Sequence, residues 1–145
     1  MLTNLNNPIF DTWGPSVRTA YTDLSMWTQG LTNMKSNCAV LWITNTQPTT
    51  YTMASSTDNI GTATPGAGSV CAAPTIDAGT GANIIVNAVA SGGSINNTGT
   101  ASYWGVGNVG NTVLYAGNSL SSGQSVTSGN TFTTGSATID LRGAT

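Results

Sequence analysis

Histidine and glutamate are both absent from this 145-residue chain, and three cations (Arg18, Lys35, Arg142) stand against five aspartates (Asp11, Asp23, Asp58, Asp77, Asp140). Charged residues make up 6% of the sequence, against roughly 25% in an average soluble domain. Without histidine the commonest general base is missing. Ser-His-Asp and Cys-His arrangements cannot be built, and most zinc sites lose their usual nitrogen ligand. The chain has too few cations to meet a row of phosphates, so counterion release cannot drive nucleic-acid binding, and anionic membranes are disfavoured for the same reason. We expect no nucleic acid and no membrane among its partners, no cofactor and no metal.

No stretch approaches the ~20 apolar residues of a membrane span; the longest clear run is Cys38-Ala-Val-Leu-Trp-Ile43. The N-terminus, Met-Leu-Thr-Asn-Leu-Asn-Asn-Pro, carries neither a positive region nor an apolar one, so no secretory signal is expected and synthesis and assembly fall to a cytoplasm. Two cysteines, Cys38 and Cys71, are too few for a disulfide scaffold. They read as small buried hydrophobes, and a bridge between them stays open for a particle exposed to an oxidising exterior.

What is present is glycine, 18 residues of it, with a heavy load of Ser, Thr and Asn. At this length one domain is expected. Residues 1–15 read as an extended arm, polar and Asn-rich with Phe10 and Trp13 as apolar outliers. Large aromatics on such an arm suggest docking, on its own body or on a neighbour. Residues 16–145 then form a single β-rich domain. Val17, Ala20, Tyr21, Leu24, Trp27, Leu31 and Met34 share one helical face, which predicts a helix over about 17–29 with Ser16 as N-cap and Gly30 as stop, covering a face or end of a sheet.

Asn37–Thr44 predicts a buried strand. Residues 45–69 read as a long, exposed, partly structured loop, broken by Pro48 and by Gly and Pro in 61–68. Short strand candidates follow at 69–77, with Pro74 in it, and at 83–89, 98–106 and 111–116, with Gly107-Asn-Val-Gly110 as a hairpin turn between the last two. Ser125-Val-Thr and 131–141 complete the set, the latter with Phe132 and, in the alternation of a half-buried strand, Ala137, Ile139 and Leu141. There is no internal repeat. The pattern predicts a mainly β chain: an antiparallel β-sandwich or barrel, jelly-roll or immunoglobulin-like, with one N-terminal helix and the arm.

Few residues suggest chemistry. Asp58 could be a metal ligand or catalytic acid, but it has no acidic neighbour and reads as a turn residue. Asp77 and Asp140 sit in separate strand-like segments, whereas a glycosidase needs two facing carboxylates. No calcium-loop pattern occurs. Gly105-Val-Gly107-Asn-Val-Gly110 has the spacing of a dinucleotide fingerprint, yet a strand pattern follows it where a helix would be needed. Trp42, Tyr103, Trp104 and Tyr115 could line a sugar platform, although each lies inside a predicted strand and reads as core. Asn96-Asn97-Thr98 is a glycosylation sequon only in a secreted eukaryotic chain.

Three segments carry a resemblance: Val40-Leu-Trp-Ile-Thr-Asn-Thr-Gln-Pro-Thr-Thr-Tyr51, Thr98-Gly-Thr-Ala-Ser-Tyr-Trp104, and Ser119-Leu-Ser-Ser-Gly-Gln-Ser-Val-Thr-Ser-Gly-Asn-Thr-Phe132. Over roughly residues 38–141 the chain resembles a family of small tailed-bacteriophage proteins, whose shared motifs are structural and not catalytic. The arm departs from that pattern. The resemblance implies a virion protein. The expectation is a head decoration (cement) protein, a homotrimer bound to the major capsid protein on the outer head surface, with Leu5, Phe10 and Trp13 lying across a neighbouring subunit. A surface of Ser, Thr, Asn and Gly suits repeated neutral contacts. A second expectation is a tail, collar or fibre module that binds a host-surface glycan through loop aromatics such as Tyr51. A depolymerase is third, since no carboxylate pair is visible, and no enzyme activity is expected.

Overall fold

The computed structural model of the chain describes residues 23–77 and 81–142. Leu5, Phe10 and Trp13, with the whole arm and the first part of the expected helix, lie outside the described residues. The remainder is mainly β, as the short-strand pattern predicts. One helix, α1 (Asp23–Asn37), is followed by β1 (Val40–Thr44), a short π-type turn (Met53–Thr57), β2 (Asn59–Ala63), β3 (Thr75–Asp77), β4 (Gly81–Val86), β5 (Val89–Ile95), β6 (Gly99–Asn108), β7 (Val113–Val126), β8 (Thr131–Thr134) and β9 (Ala137–Arg142). All pairings are antiparallel. A six-stranded sheet runs β7-β6-β1-β2-β5-β8 and a three-stranded sheet β3-β4-β9, together forming a curled half-barrel.

The helix does not stop at Gly30 but continues to Asn37. A glycine inside a helix costs about 1 kcal/mol relative to alanine. Burying Leu31 and Met34 in the core outweighs that cost, at about 1.5–3 kcal/mol for each large apolar side chain. Three further features support the last turns. Thr32 Oγ1 donates to Thr28 O at 2.7 Å, Lys35 complements the dipole, and Asn108 Nδ2 donates to the Asn37 carbonyl. The helix packs against β4 and β3, covering the small sheet as its apolar stripe requires.

The main core lies between the sheets. Leu41 and Ile43 of β1 and Ala101, Trp104 and Val106 of β6 meet Ala82, Ile84 and Val86 of β4, joined by Leu31, Met34, Cys38 and Cys71. On β4 the buried residues alternate with Asn83 and the exposed Ile85, the two-residue period of a sheet with one covered face. β1 is buried along its whole length. Its second face, Val40 and Trp42, is covered by residues 45–58, where Ala54 is fully buried, Pro48 is buried and Tyr51 packs in a second small cluster.

Segments 45–69 therefore differ from the expected exposed loop. The first part is a strap over β1, and Asn59–Ala63 is a strand between β1 and β5. Small residues explain the discrepancy: at Gly61 a Cβ would stand 2.8 Å from Ser94 O and 3.2 Å from the Phe132 ring, so this strand needs its glycine for close approach.

Other boundaries shift for local reasons. The expected 83–89 strand is two strands that turn at Asn87-Ala88, and 131–141 is two strands broken at Gly135-Ser136, which accounts for Phe132 falling out of phase with Ala137, Ile139 and Leu141. β7 runs unbroken through Ala116–Val126, taking in the Ser125–Val126 candidate. In the hairpin between β6 and β7 the strand continues through Gly107 to Asn108. The turn itself lies at 109–112, where Thr112 takes a positive φ of 52° and Asn111 N donates to Asn108 Oδ1 at 3.1 Å.

Candidate functional site

An uncharged groove opens where the two sheets part, between β7 on one side and the β8–β9 turn on the other. Its floor is apolar: Leu41, Ile43, Ala101, Trp104, Val86 and Phe132. Its rim is hydroxyl and amide: Ser119, Ser121, Ser122, Gln124, Thr133 and Ser136. The space measures about 290 Å³. The cause of the groove is a register slip in β7. Ala101 pairs with Gln124 and Tyr103 with Ser119, so the four residues Leu120–Gly123 oppose the single residue Ser102. Such a bulge bends an edge strand and redirects its side chains. Here it places Leu120, Ser121 and Ser122 along the groove. Among the described residues no charged side chain lines it, so it can take a neutral group, with hydrogen bonds at the rim and apolar contact beneath.

The aromatic residues do not form a common platform. On neighbouring strands, Ile43 faces Trp104 and Trp42 faces Gly105, which sends the two indoles to opposite faces of the sheet. Trp42 meets Tyr51 edge to face, with ring centroids 5.7 Å apart and planes at 83°. Tyr51, the expected glycan-stacking residue, is thus packed on Trp42 and half-buried. Tyr103 is half-buried on β6, and Tyr115 packs at the margin of the main core. Gly105 and Gly107 are strand residues, not a phosphate cradle. They lie beneath Pro48, Leu114 and Trp42.

The aspartates are likewise apart. Asp58 closes the π-type turn, its N–H donating to Met53 O at 3.0 Å and its carbonyl accepting from Asn45 N at 3.1 Å, which is the turn role its sequence context suggests. Asp77 and Asp140 enter the same small sheet on its two edge strands, with β4 between them and two residues out of register, since Asp77 pairs with Gly81 and Asp140 with Asn83. Among the described residues no group of three or more His, Cys, Asp or Glu side chains could hold a metal ion. No helix among them is long and apolar enough to cross a membrane.

Two arrangements are set by the fold and go beyond the sequence reading, which expects both cysteines buried and leaves their pairing open. Asn96 and Asn97 of the sequon are structural: Asn96 Nδ2 donates to Asn59 Oδ1 at 2.9 Å and Asn97 Nδ2 to Asn59 O at 2.8 Å, tying the β5–β6 connection to β2. Cys38 and Cys71 meet in the core, both free thiols and both buried. The Cys38 thiol is pushed well above its ordinary pKa by its hydrogen bond to Cys71 and by burial. Cys71 is held below its ordinary value by receiving that bond, and the Lys35 charge adds to the effect.

Comparison with known proteins adds no relative: no family model, no curated protein and no solved structure matches the chain.

Proposed function

We propose that this chain is a structural component of a tailed-phage virion, a decoration (cement) protein that binds the outer head surface and adds contacts between shell subunits. The observation that carries this reading is the edge strand β7. Its 14 residues, Val113–Val126, contain neither charge nor proline, and it borders the large sheet, where among the described residues no strand pairs with the side away from β6. Soluble monomers usually blunt such an edge with lysine, proline, a bulge or a cover, because its free N–H and C=O groups template further association; among the described residues β7 carries only bulges, the larger opposite Ser102. In a repeating assembly the same neutrality lets symmetry-related copies meet without opposing like charges. The action would be binding linkage: a ligand that binds only the assembled shell stabilises it, and no catalysis is needed. The partners in this reading are the major capsid protein and further copies of the chain, as a homotrimer, with the arm around Leu5, Phe10 and Trp13 lying across a neighbour.

Quantitative mass spectrometry of purified virions tests it. About one copy per major shell subunit is expected, because only the shell repeats so often. Deleting residues 2–14 is expected to abolish attachment to bare capsids while the domain keeps its thermal transition; normal attachment of the truncated chain sinks the role of the arm.

The uncharged groove favours a second reading, a tail, collar or fibre module for a neutral host glycan, whose hydroxyls would meet Ser119, Ser121 and Gln124 over an apolar floor. A few copies per particle, with binding of the purified chain to host polysaccharide, would select it over decoration.

A further inference from the structure

We propose that Cys38 and Cys71 form an intramolecular cross-linking pair, which hydrogen peroxide closes into a disulfide between the end of α1 and the strip that pairs with β4. The inference concerns the chain itself and stands whether or not the virion reading holds. Three observations meet here. The two thiols, 33 positions apart, are buried in one cluster and hydrogen-bonded to each other. Cys71 is bridged to Val86, which fixes it against β4, and Cys38 is fixed by its N–H donating to Met34 O at 2.7 Å. Lys35, one of only three cations in the sequence, reaches Gly68 O at 3.5 Å, three residues before Cys71, and its charge favours the Cys71 thiolate. Packing alone requires a small apolar side chain at 38 and 71 and has no need of a cation beside them.

The strip around Cys71 also provides a route for a water-sized oxidant. It is flanked by Pro65, Gly66, Gly68 and Pro74, with Gly66 and Gly68 at φ 97° and 79°. It lies outside the regular strands and is tied to the small sheet by the Cys71–Val86 bridge, with Ala72 N to Ile85 O at 2.9 Å, Asn87 N to Val70 O at 2.8 Å and Asn87 Nδ2 to Ser69 O at 2.9 Å. Opening it breaks these few bonds and not the whole sheet, so it opens locally more often than the whole domain unfolds.

The chemistry balances. The Cys71 thiolate, favoured by Lys35, attacks one peroxide oxygen; the O–O bond breaks, hydroxide leaves and takes up a proton as water, and Cys71 becomes a sulfenic acid. The Cys38 sulfur then attacks Cys71 sulfur, the S–O bond breaks, and the departing hydroxyl leaves as water with the Cys38 proton. Two thiols and one peroxide give one disulfide and two waters. The closed loop encloses β1 and β2, and constraining it in the unfolded chain should raise the melting temperature by roughly 10 °C.

The test uses the full chain, purified reduced, treated with hydrogen peroxide, then denatured and alkylated. The expected result is loss of two hydrogen atoms from the intact mass, no alkylation, one peptide pair joining Cys38 to Cys71, and a melting-temperature rise that dithiothreitol reverses. Alkylation of both thiols, over-oxidised monomers, or a bridge between two chains would overturn the proposal. The mass readout uses the natural sequence, so it does not depend on the folding of any cysteine variant. Lys35→Met is expected to slow closure several-fold with the same end product; an unchanged rate removes Lys35 from the mechanism.

Discussion

The Trp42 indole packs against Gly107 on the adjacent strand: a Cβ at Gly107 would stand 2.7 Å from Trp42 Cζ3 and would also run into the Val113 carbonyl. The row beside it repeats the arrangement, since Trp42, Gly105 and Gly117 are register partners across β1, β6 and β7, and Pro48 sits 3.2 Å and 3.1 Å from where Cβ atoms at Gly105 and Gly117 would be. Glycine here is a bed for the strap of residues 45–58. Gly107→Ala is therefore expected to destabilise the domain by about 2–3 kcal/mol through overpacking against backbone that cannot yield. Gly135→Ala, at a position open on all sides, should change stability by less than about 0.5 kcal/mol. Urea titration of the two variants separates close approach from a general glycine effect.

Gly30 is the opposite case. It sits inside α1 with nothing within 4 Å of a built Cβ, so the helix bears the entropy of glycine without using its smallness. Gly30→Ala should stabilise the domain by about 0.5–1 kcal/mol. A loss of stability on thermal or urea melting would mean that this face of the helix is covered by something in the folded protein.

These two glycines show why the sequence was readable only in part. A period of 3.6 residues marks α1 through Leu31 and Met34, and clustered aliphatic and aromatic residues mark β1 and β6. Gly30 reads as a helix stop because local propensity favours one, and tertiary burial overrides it. β2, β5 and the second half of β7 are made mostly of small and polar residues, Asn, Ser, Thr, Gly and Ala, with only an occasional aliphatic such as Ile60, Ile95 or Leu120. They are strands because their neighbours supply the hydrogen bonds and the apolar cover. The groove is still less legible, since it depends on a slip in register opposite Ser102 and on a turn from another part of the chain. The meeting of Cys38 and Cys71 is a product of topology alone.

Asn59 is a buried polar residue whose groups are all engaged. Its Nδ2 donates to Ala54 O at 2.8 Å, its Oδ1 accepts from Asn96, and its backbone carbonyl accepts from Asn97. Replacing it with leucine keeps the volume and strands the Ala54 carbonyl, while the exposed Asn96 amide keeps its bond to Thr62 Oγ1 at 3.0 Å. Asn59→Leu should cost about 1–3 kcal/mol. Asn97→Ala, on an exposed side chain that water can replace, should cost about 1 kcal/mol or less. Equal effects of the two substitutions would show that the strap is anchored elsewhere.

The paired thiols make stability depend on alkaline pH, and the sign follows from their opposite shifts. Cys38, held above the ordinary thiol value of 9.0, keeps its proton more tightly folded than unfolded, so its contribution is complete below pH 9.0 and is lost as the pH rises beyond it. Cys71, held below 9.0, contributes in the other direction: its share is present above that pH and fades as the pH falls through its lowered value. Tyr115 is also raised, by burial and then by charge at Cys38, and reinforces the loss on the alkaline side. Melting temperature under reducing conditions should therefore peak near pH 9 and fall above it. In Cys38→Ala the Cys38 share of that fall should vanish, leaving the shallower slope of Tyr115. A profile unchanged by the substitution would mean that the alkaline loss comes from groups other than the thiols.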